Sequence, residues 1–239
     1  MPSQGPRARH RLEPMLDSLV ADVLALIPED DGDPHRVMIG LTGAPAAGKS
    51  TLARYLVHAV NEASGTGIAG YLPMDGYHLS NVQLDRLGRR DRKGAPDTFD
   101  AHGYVAMLNR LSIETDHPIY VPDYDRRLHE PVAARHVIEP RTRLVVTEGN
   151  YLASDSEPWV RVRRLLTELW YVEASDRVRE RRLHRRQRAG GASASAARAW
   201  VERSDRANGE LVKAVRDNCT RVVRVNKVPR VRSDHRFGR

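Results

Sequence analysis

The chain alternates between two hydrophobic periods. Between residues 12 and 27, Leu12, Met15, Leu16, Leu19, Val20, Val23, Leu24 and Ile27 recur at steps of three and four or close to it. That is the spacing of an amphipathic helix, expected here to pack on the edge of a sheet. Residues 37–41 then form an unbroken apolar run, Val37-Met38-Ile39-Gly40-Leu41, which suits a strand buried on both faces. Helical spacing returns with Leu52, Tyr55, Leu56 and Ala59. Further strands are predicted at 68–74, 144–147, 169–172 and 220–225, with a short extended piece at 118–121. Helices are predicted at 81–92, with Leu84 and Leu87 inward, and at 101–111, 176–188 and 195–218. Strands that alternate with helices predict an α/β fold with a mainly parallel sheet. There is no internal repeat and no dividing linker. The expected organisation is a leader and helix over 1–35, one domain over 36–227 and a basic tail over 228–239, with residues 1–11 disordered.

Composition narrows the class. The chain has 239 residues, 40% hydrophobic and 29% charged, enough for one large α/β domain with a packed core. No apolar run reaches the roughly 18 residues that a membrane-spanning helix needs. Asp17, Ser18 and Asp22 interrupt the stretch that could otherwise serve as a signal peptide. The single cysteine, Cys219, excludes an internal disulfide framework and points to a cytoplasmic protein. A net charge of +8 calls for anionic partners. The excess gathers in 177–188 and in the last dozen residues. The arginine-rich segment carries no aromatic side chain on which bases could stack, so small phosphorylated molecules are favoured over nucleic acid.

The stretch Gly43-Ala44-Pro45-Ala46-Ala47-Gly48-Lys49-Ser50-Thr51 changes the picture most. It reads G-x-x-x-x-G-K-S between a predicted strand and a predicted helix, which is the Walker A P-loop. Its backbone amides and the helix start cradle phosphates, so ATP is the expected ligand. Lys49 reaches the outer phosphates, and the Ser50 hydroxyl ligates Mg²⁺. Glu148 closes a buried strand as a Walker-B carboxylate does, which makes it a second metal residue. Asp75 ends the strand at 68–74. In a parallel sheet that puts it on the P-loop's edge, where it is the candidate base. Arg181, Arg182, Arg185 and Arg186 form two i,i+4 pairs ahead of Gly190-Gly191. They predict an arginine-rich lid at about 176–191 that closes over the nucleotide, with Gly190-Gly191 as its hinge. The fold expected is therefore a P-loop NTPase of three layers, with a short lid. The expected catalytic set is Asp75, Lys49, Arg182, Arg185 and Arg186.

Several blocks in order, the P-loop, MDGYHLSN, DRKGAPDTFDAHGY, PDYDR, VVTEGNYL and the arginine-rich lid, resemble the phosphoribulokinase, uridine kinase and type I pantothenate kinase group. The length and the RRLHRR lid look more like its short sugar- or nucleoside-kinase members, including kinases associated with fructose transport. The resemblance implies a Mg·ATP-dependent kinase acting on a hydroxyl of a small metabolite such as a nucleoside, sugar or pantothenate-like acceptor. It implies that Asp75 is the base and that Glu148 serves the Mg²⁺ region. It also implies that His102 contacts substrate and that Tyr124 stands beside it. Tyr77, His78, Asp97, His102, Tyr124 and Arg126 are accordingly expected to line the acceptor pocket. Relatives often form dimers, so a homodimer is one expected assembly. The long β-hairpin lobe of uridine kinases and the C-terminal portion of pantothenate kinases are expected to be absent. The alternative is a P-loop ATPase or nucleic-acid-binding module that uses ATP as a switch.

Overall fold

In the computed structural model, which describes residues 13–28, 35–191, 193–224, 228–229 and 231, strand β1 (Val37–Thr42) lies at the centre of a sheet. It pairs in parallel with β5 (Leu144–Glu148) on one side and β6 (Glu168–Glu173) on the other. Strand β2 (Ala69–Pro73) pairs with β5, and β7 (Arg221–Arg224) with β6. The order is β2-β5-β1-β6-β7, all parallel. Register decides which strand ends are neighbours. Glu148 stands opposite both Leu41 and Pro73. The segments that leave β1, β5 and β2 therefore emerge side by side at one level of the sheet's carboxyl edge.

The unbroken apolar runs are explained by cover on both faces. Ile39, Leu41, Val146 and Trp170 point to one side. There they meet Leu16, Leu19 and Val23 of α1 (Glu13–Ala25) and Leu52, Leu56 and Val60 of α2 (Lys49–Ser64). Met38, Leu72, Val145 and Leu169 point the other way, to Tyr104, Leu108 and Leu111 of α4 (Ala101–Ile113) and to Trp159 and Val162 around α5 (Val160–Arg163). Each fully buried leucine of this kind contributes about 1.5–3 kcal/mol. Helix α1 lies against α2 on the sheet's face, and its Asp22 also reaches Arg221 of edge strand β7 at 2.6 Å.

Three expectations change. The helix predicted at 81–92 is shorter: α3 (Asn81–Arg86) stops before Gly88, which takes φ +63°, and Arg90–Arg92 form a separate 3₁₀ turn. The long helix predicted at 195–218 is interrupted. It begins as α7 (Ala194–Trp200), widens into a π-helical turn at Val201–Asp205 and resumes as α8 (Arg206–Ala214). The extended piece at 118–121 is the start of an antiparallel hairpin whose second strand the sequence does not mark. Strand β3 (Ile119–Asp125) pairs with β4 (Glu130–Ile138), with an irregularity at Pro122. The expected leader at 1–11 and most of the expected basic tail lie outside the described residues. No helix among the described residues is long and apolar enough to cross a membrane.

Candidate active site

The turn after β1 has the backbone of a phosphate cradle. Gly43 takes φ +147°, and a Cβ there would sit 2.4 Å from the Val172 carbonyl. Ala46 and Gly48 also have positive φ, at +62° and +112°. Ala47 N–H closes the turn on Ala44 C=O at 3.0 Å. Gly48 caps α2 without any side-chain bond, so the first-turn amides of the helix stay open to an anion. Helix α6 (Asp176–Ala189) grips the same turn from its other side. Arg179, 6% exposed, donates from Nε to Pro45 C=O at 3.0 Å, and Arg182 donates from Nη1 to Ala46 and Ala47 C=O at 3.1 Å each. The sequence places Arg182 over the nucleotide; in the fold it holds the loop that would cradle it. Arg179 carries no sequence signal of its own beyond its place in the same arginine run.

Lys49 is buried in the turn. Its Nζ donates to Gly43 C=O at 2.8 Å and to Asn150 Oδ1 at 2.7 Å. Burial brings its pKa down to about 8, against the pull of Glu148 and Asp75. Glu148, 3% exposed, accepts from the Tyr71 hydroxyl at 2.9 Å. Burial and the nearby Asp75 raise its pKa, while Lys49 and hydrogen bonds from Ser50 and Tyr71 oppose them. Ser50 therefore meets Glu148. Thr51, the last residue of the motif, is exposed.

Asp75 sits in a 3₁₀ turn at Met74–Tyr77, directly after β2. Burial alone would raise its pKa, but His78, Arg126, Lys49 and Arg186 together bring it below the usual aspartate value. These neighbours favour its ionised form. Gly76 explains the Asp-Gly pair. A Cβ there would lie 2.5 Å from Pro122 C=O, so only glycine lets β3 rest on the turn. Gly149 does the same beside Glu148, where a Cβ would strike Met74.

The expected acceptor residues divide. Arg126 Nη2 lies 3.5 Å from Asp75 Oδ2. His78 donates from Nδ1 to Asp75 C=O at 2.7 Å and stacks between Phe99 and Tyr124, at 4.0 and 4.7 Å between ring centroids. Tyr124 has its pKa raised to about 12 by burial and by Asp75, and Lys93 Nζ lies 5.1 Å from its ring centre. These side chains form a wall beside Asp75. Tyr77 does not join it. Its ring packs in the core against Tyr104, 5.2 Å away. Asp97 is tied to Arg89 and Arg92 on an exposed loop. His102 is exposed in the first turn of α4, and its ring has no partner among the described residues. Arg186 is near enough to Asp75, Arg126 and Glu148 to feel their charges. Arg185 points to solvent.

A cavity of about 580 Å³ opens on the opposite flank of the P-loop. Ala44, Tyr171, Ser175, Arg179, Lys213 and Arg216 line it. The acid tips and this cavity thus lie on either side of the phosphate turn.

The family model described as Phosphoribulokinase / Uridine kinase matches residues 38–231. The chain belongs to that family. A candidate uridine kinase from Schizosaccharomyces pombe is 35% identical over 176 residues, 72% of this chain and 74% of that protein. The uncharacterised protein YggC from Escherichia coli K12 is 35% identical over 179 residues, 74% of this chain and 73% of that protein. A solved structure from Silicibacter sp. TM1040, described as a candidate fructose transport system kinase, superposes with a TM-score of 0.78 at 32% identity. It covers 87% of this chain and 98% of its own. Membership makes this a P-loop kinase with a mostly parallel sheet flanked by helices, as the motif order implies.

Proposed function

We propose that the chain transfers the γ-phosphoryl group of Mg·ATP to a hydroxyl of a small metabolite. The observation that carries this reading is the placement of Asp75. It is 28% exposed, its carboxyl is held below the usual aspartate range by His78, Arg126, Lys49 and Arg186, and it stands at the strand tip beside Glu148, with Lys49 and the phosphate turn beyond. The open amides of the turn fit phosphates. The oxygen donors Ser50 and Glu148 fit Mg²⁺, which takes one or two protein oxygens and completes its shell with phosphates and water. Among the described residues no group of three or more His, Cys, Asp and Glu offers a ready-made metal site, which agrees with that sharing. When bound, Mg²⁺ supplies charge that stabilises the phosphate oxygens.

The chain's own groups do the rest. Lys49 swings from carbonyls to phosphate oxygens, and Arg186 adds a cation at the mouth. Asp75 orients the acceptor hydroxyl and takes its proton late, so a weak base suffices because the transition state is loose. Arg126, His78 and Tyr124 hold the acceptor against Asp75. The cavity on the far flank takes the base and ribose of the nucleotide.

A coupled ADP-release screen against nucleosides, sugars, glycerate and pantothenate tests the reading. One class should stimulate ADP release. Asp75→Asn should keep ATP binding and lower kcat by about 100-fold or more. ATP consumption that ignores every acceptor, or near-normal turnover in the variant, overturns it.

A further inference from the structure

A polar chain runs inward from the partly exposed Arg54, Asp123 and His136 to buried Tyr71 and Glu148, and only its last member has a place in the proposed reaction. Tyr71 of β2 is 7% exposed, and its hydroxyl donates to Glu148 Oε1 at 2.9 Å. The ring is held from two directions. Arg54 of α2 lies over its face, 5.2 Å from the centroid, and His136 of β4 meets it at 5.2 Å with an interplanar angle of 76°. Asp123 of β3 joins those two. Its Oδ2 accepts from His136 Nε2 at 2.9 Å and faces Arg54 at 3.7 Å. Side chains from the P-loop helix and both hairpin strands thus gather around Tyr71 of β2, which in turn bonds the β5 carboxylate.

A tyrosine buried only to fill space needs neither a cation over its face nor an ion pair behind that cation. A carboxylate that serves a metal does need its orientation set, and outer hydrogen bonds commonly set it. We infer that Tyr71 is a positioning residue for Glu148. Its hydroxyl fixes the carboxylate's orientation beside Ser50, and Arg54, Asp123 and His136 fix Tyr71. The inference rests on the metal role proposed for Glu148. It also gives the hairpin a second task. Asp123 follows Pro122, the residue that rests on the Asp75-Gly76 turn, so the hairpin buttresses both acid tips.

The test is a Mn²⁺ titration of the full chain with ADP present, followed by electron paramagnetic resonance. It compares the unaltered protein with Glu148→Gln, Tyr71→Phe and Arg54→Met. ADP affinity in EDTA is measured alongside. Tyr71→Phe should weaken Mn²⁺ binding by about tenfold and leave ADP affinity in EDTA unchanged. Arg54→Met should weaken it less. Unaltered Mn²⁺ binding in Tyr71→Phe, with weakened binding in Glu148→Gln, overturns the positioning inference and leaves the metal role standing. Unaltered binding in Glu148→Gln overturns both. Loss of ADP affinity in EDTA would make Tyr71 a merely structural residue. Should Tyr71→Phe fail to fold by circular dichroism, Arg54→Met decides, and unchanged Mn²⁺ binding in that variant overturns the inference.

Discussion

Lys49 is an ammonium in a nearly dry turn, and burial loosens its hold on the proton to a pKa of about 8. The group is cationic below that value and neutral above it. Since kcat/KM reports the free enzyme, kcat/KM for ATP should fall about tenfold per pH unit above about pH 8. A profile flat through about pH 9 would separate Lys49 from phosphate binding. Asp75 sets no limit in that range, because its surrounding cations bring its pKa below the usual aspartate value. Asp75 and Glu148 were legible in the sequence because each stands where a buried strand ends, and Lys49 because the glycine spacing of the turn marks it. Tyr77 and His78 show where that logic stops. They are neighbours at the same tip, yet the tight turn sends one ring into the core and the other to the site. Asn150, Tyr71 and Arg179 were not legible, because strand register and helix docking between distant segments bring them to the site.

At the scale of elements, the sheet strands other than β7 declared themselves by apolar runs, and the hairpin did not. Strand β4 reads Glu-Pro-Val-Ala-Ala-Arg-His-Val-Ile and is half-buried or exposed until its last residue. With weak alternation and a proline, it lacks the period that marks a strand. The π-helical turn was equally hidden, since an extra residue in a helix leaves no local signature. That turn ends at Asp205, whose Oδ2 is buried with no partner among the described residues. Burial raises its pKa to about 6, with Arg186, Arg179 and His184 opposing. The folded chain therefore holds this proton more tightly than the unfolded one. The stability so gained is full below the ordinary aspartate value and is lost as pH rises through about 6. Asp205→Asn escapes that loss. Its melting temperature relative to the unaltered protein should rise between about pH 4 and about pH 7, and a difference that stays constant across the window would show that Asp205 is not protonated in the fold.

Across the whole molecule, Arg36 joins regions that share no strand. Buried just before β1, it donates to Leu111 C=O at 3.0 Å and Glu114 C=O at 2.6 Å at the end of α4. It also donates to Thr142 C=O at 3.0 Å and Glu139 C=O at 3.3 Å between β4 and β5. Bonds from a charged donor contribute about 1.5–3 kcal/mol each, so Arg36→Met should lower unfolding free energy in urea by about 3 kcal/mol or more. A loss under about 0.5 kcal/mol would mean that water satisfies those carbonyls. The contact between Gly76 and Pro122 reaches further than its size. Because no methyl group fits between them, the hairpin and the loop bearing Asp75 behave as one lever with a single fulcrum. Grafting the hairpin of another family member onto this scaffold would then carry more than a new pocket wall. It would re-aim Asp75, the proposed proton acceptor, so chimaeras should inherit turnover from the hairpin donor and phosphate affinity from the recipient.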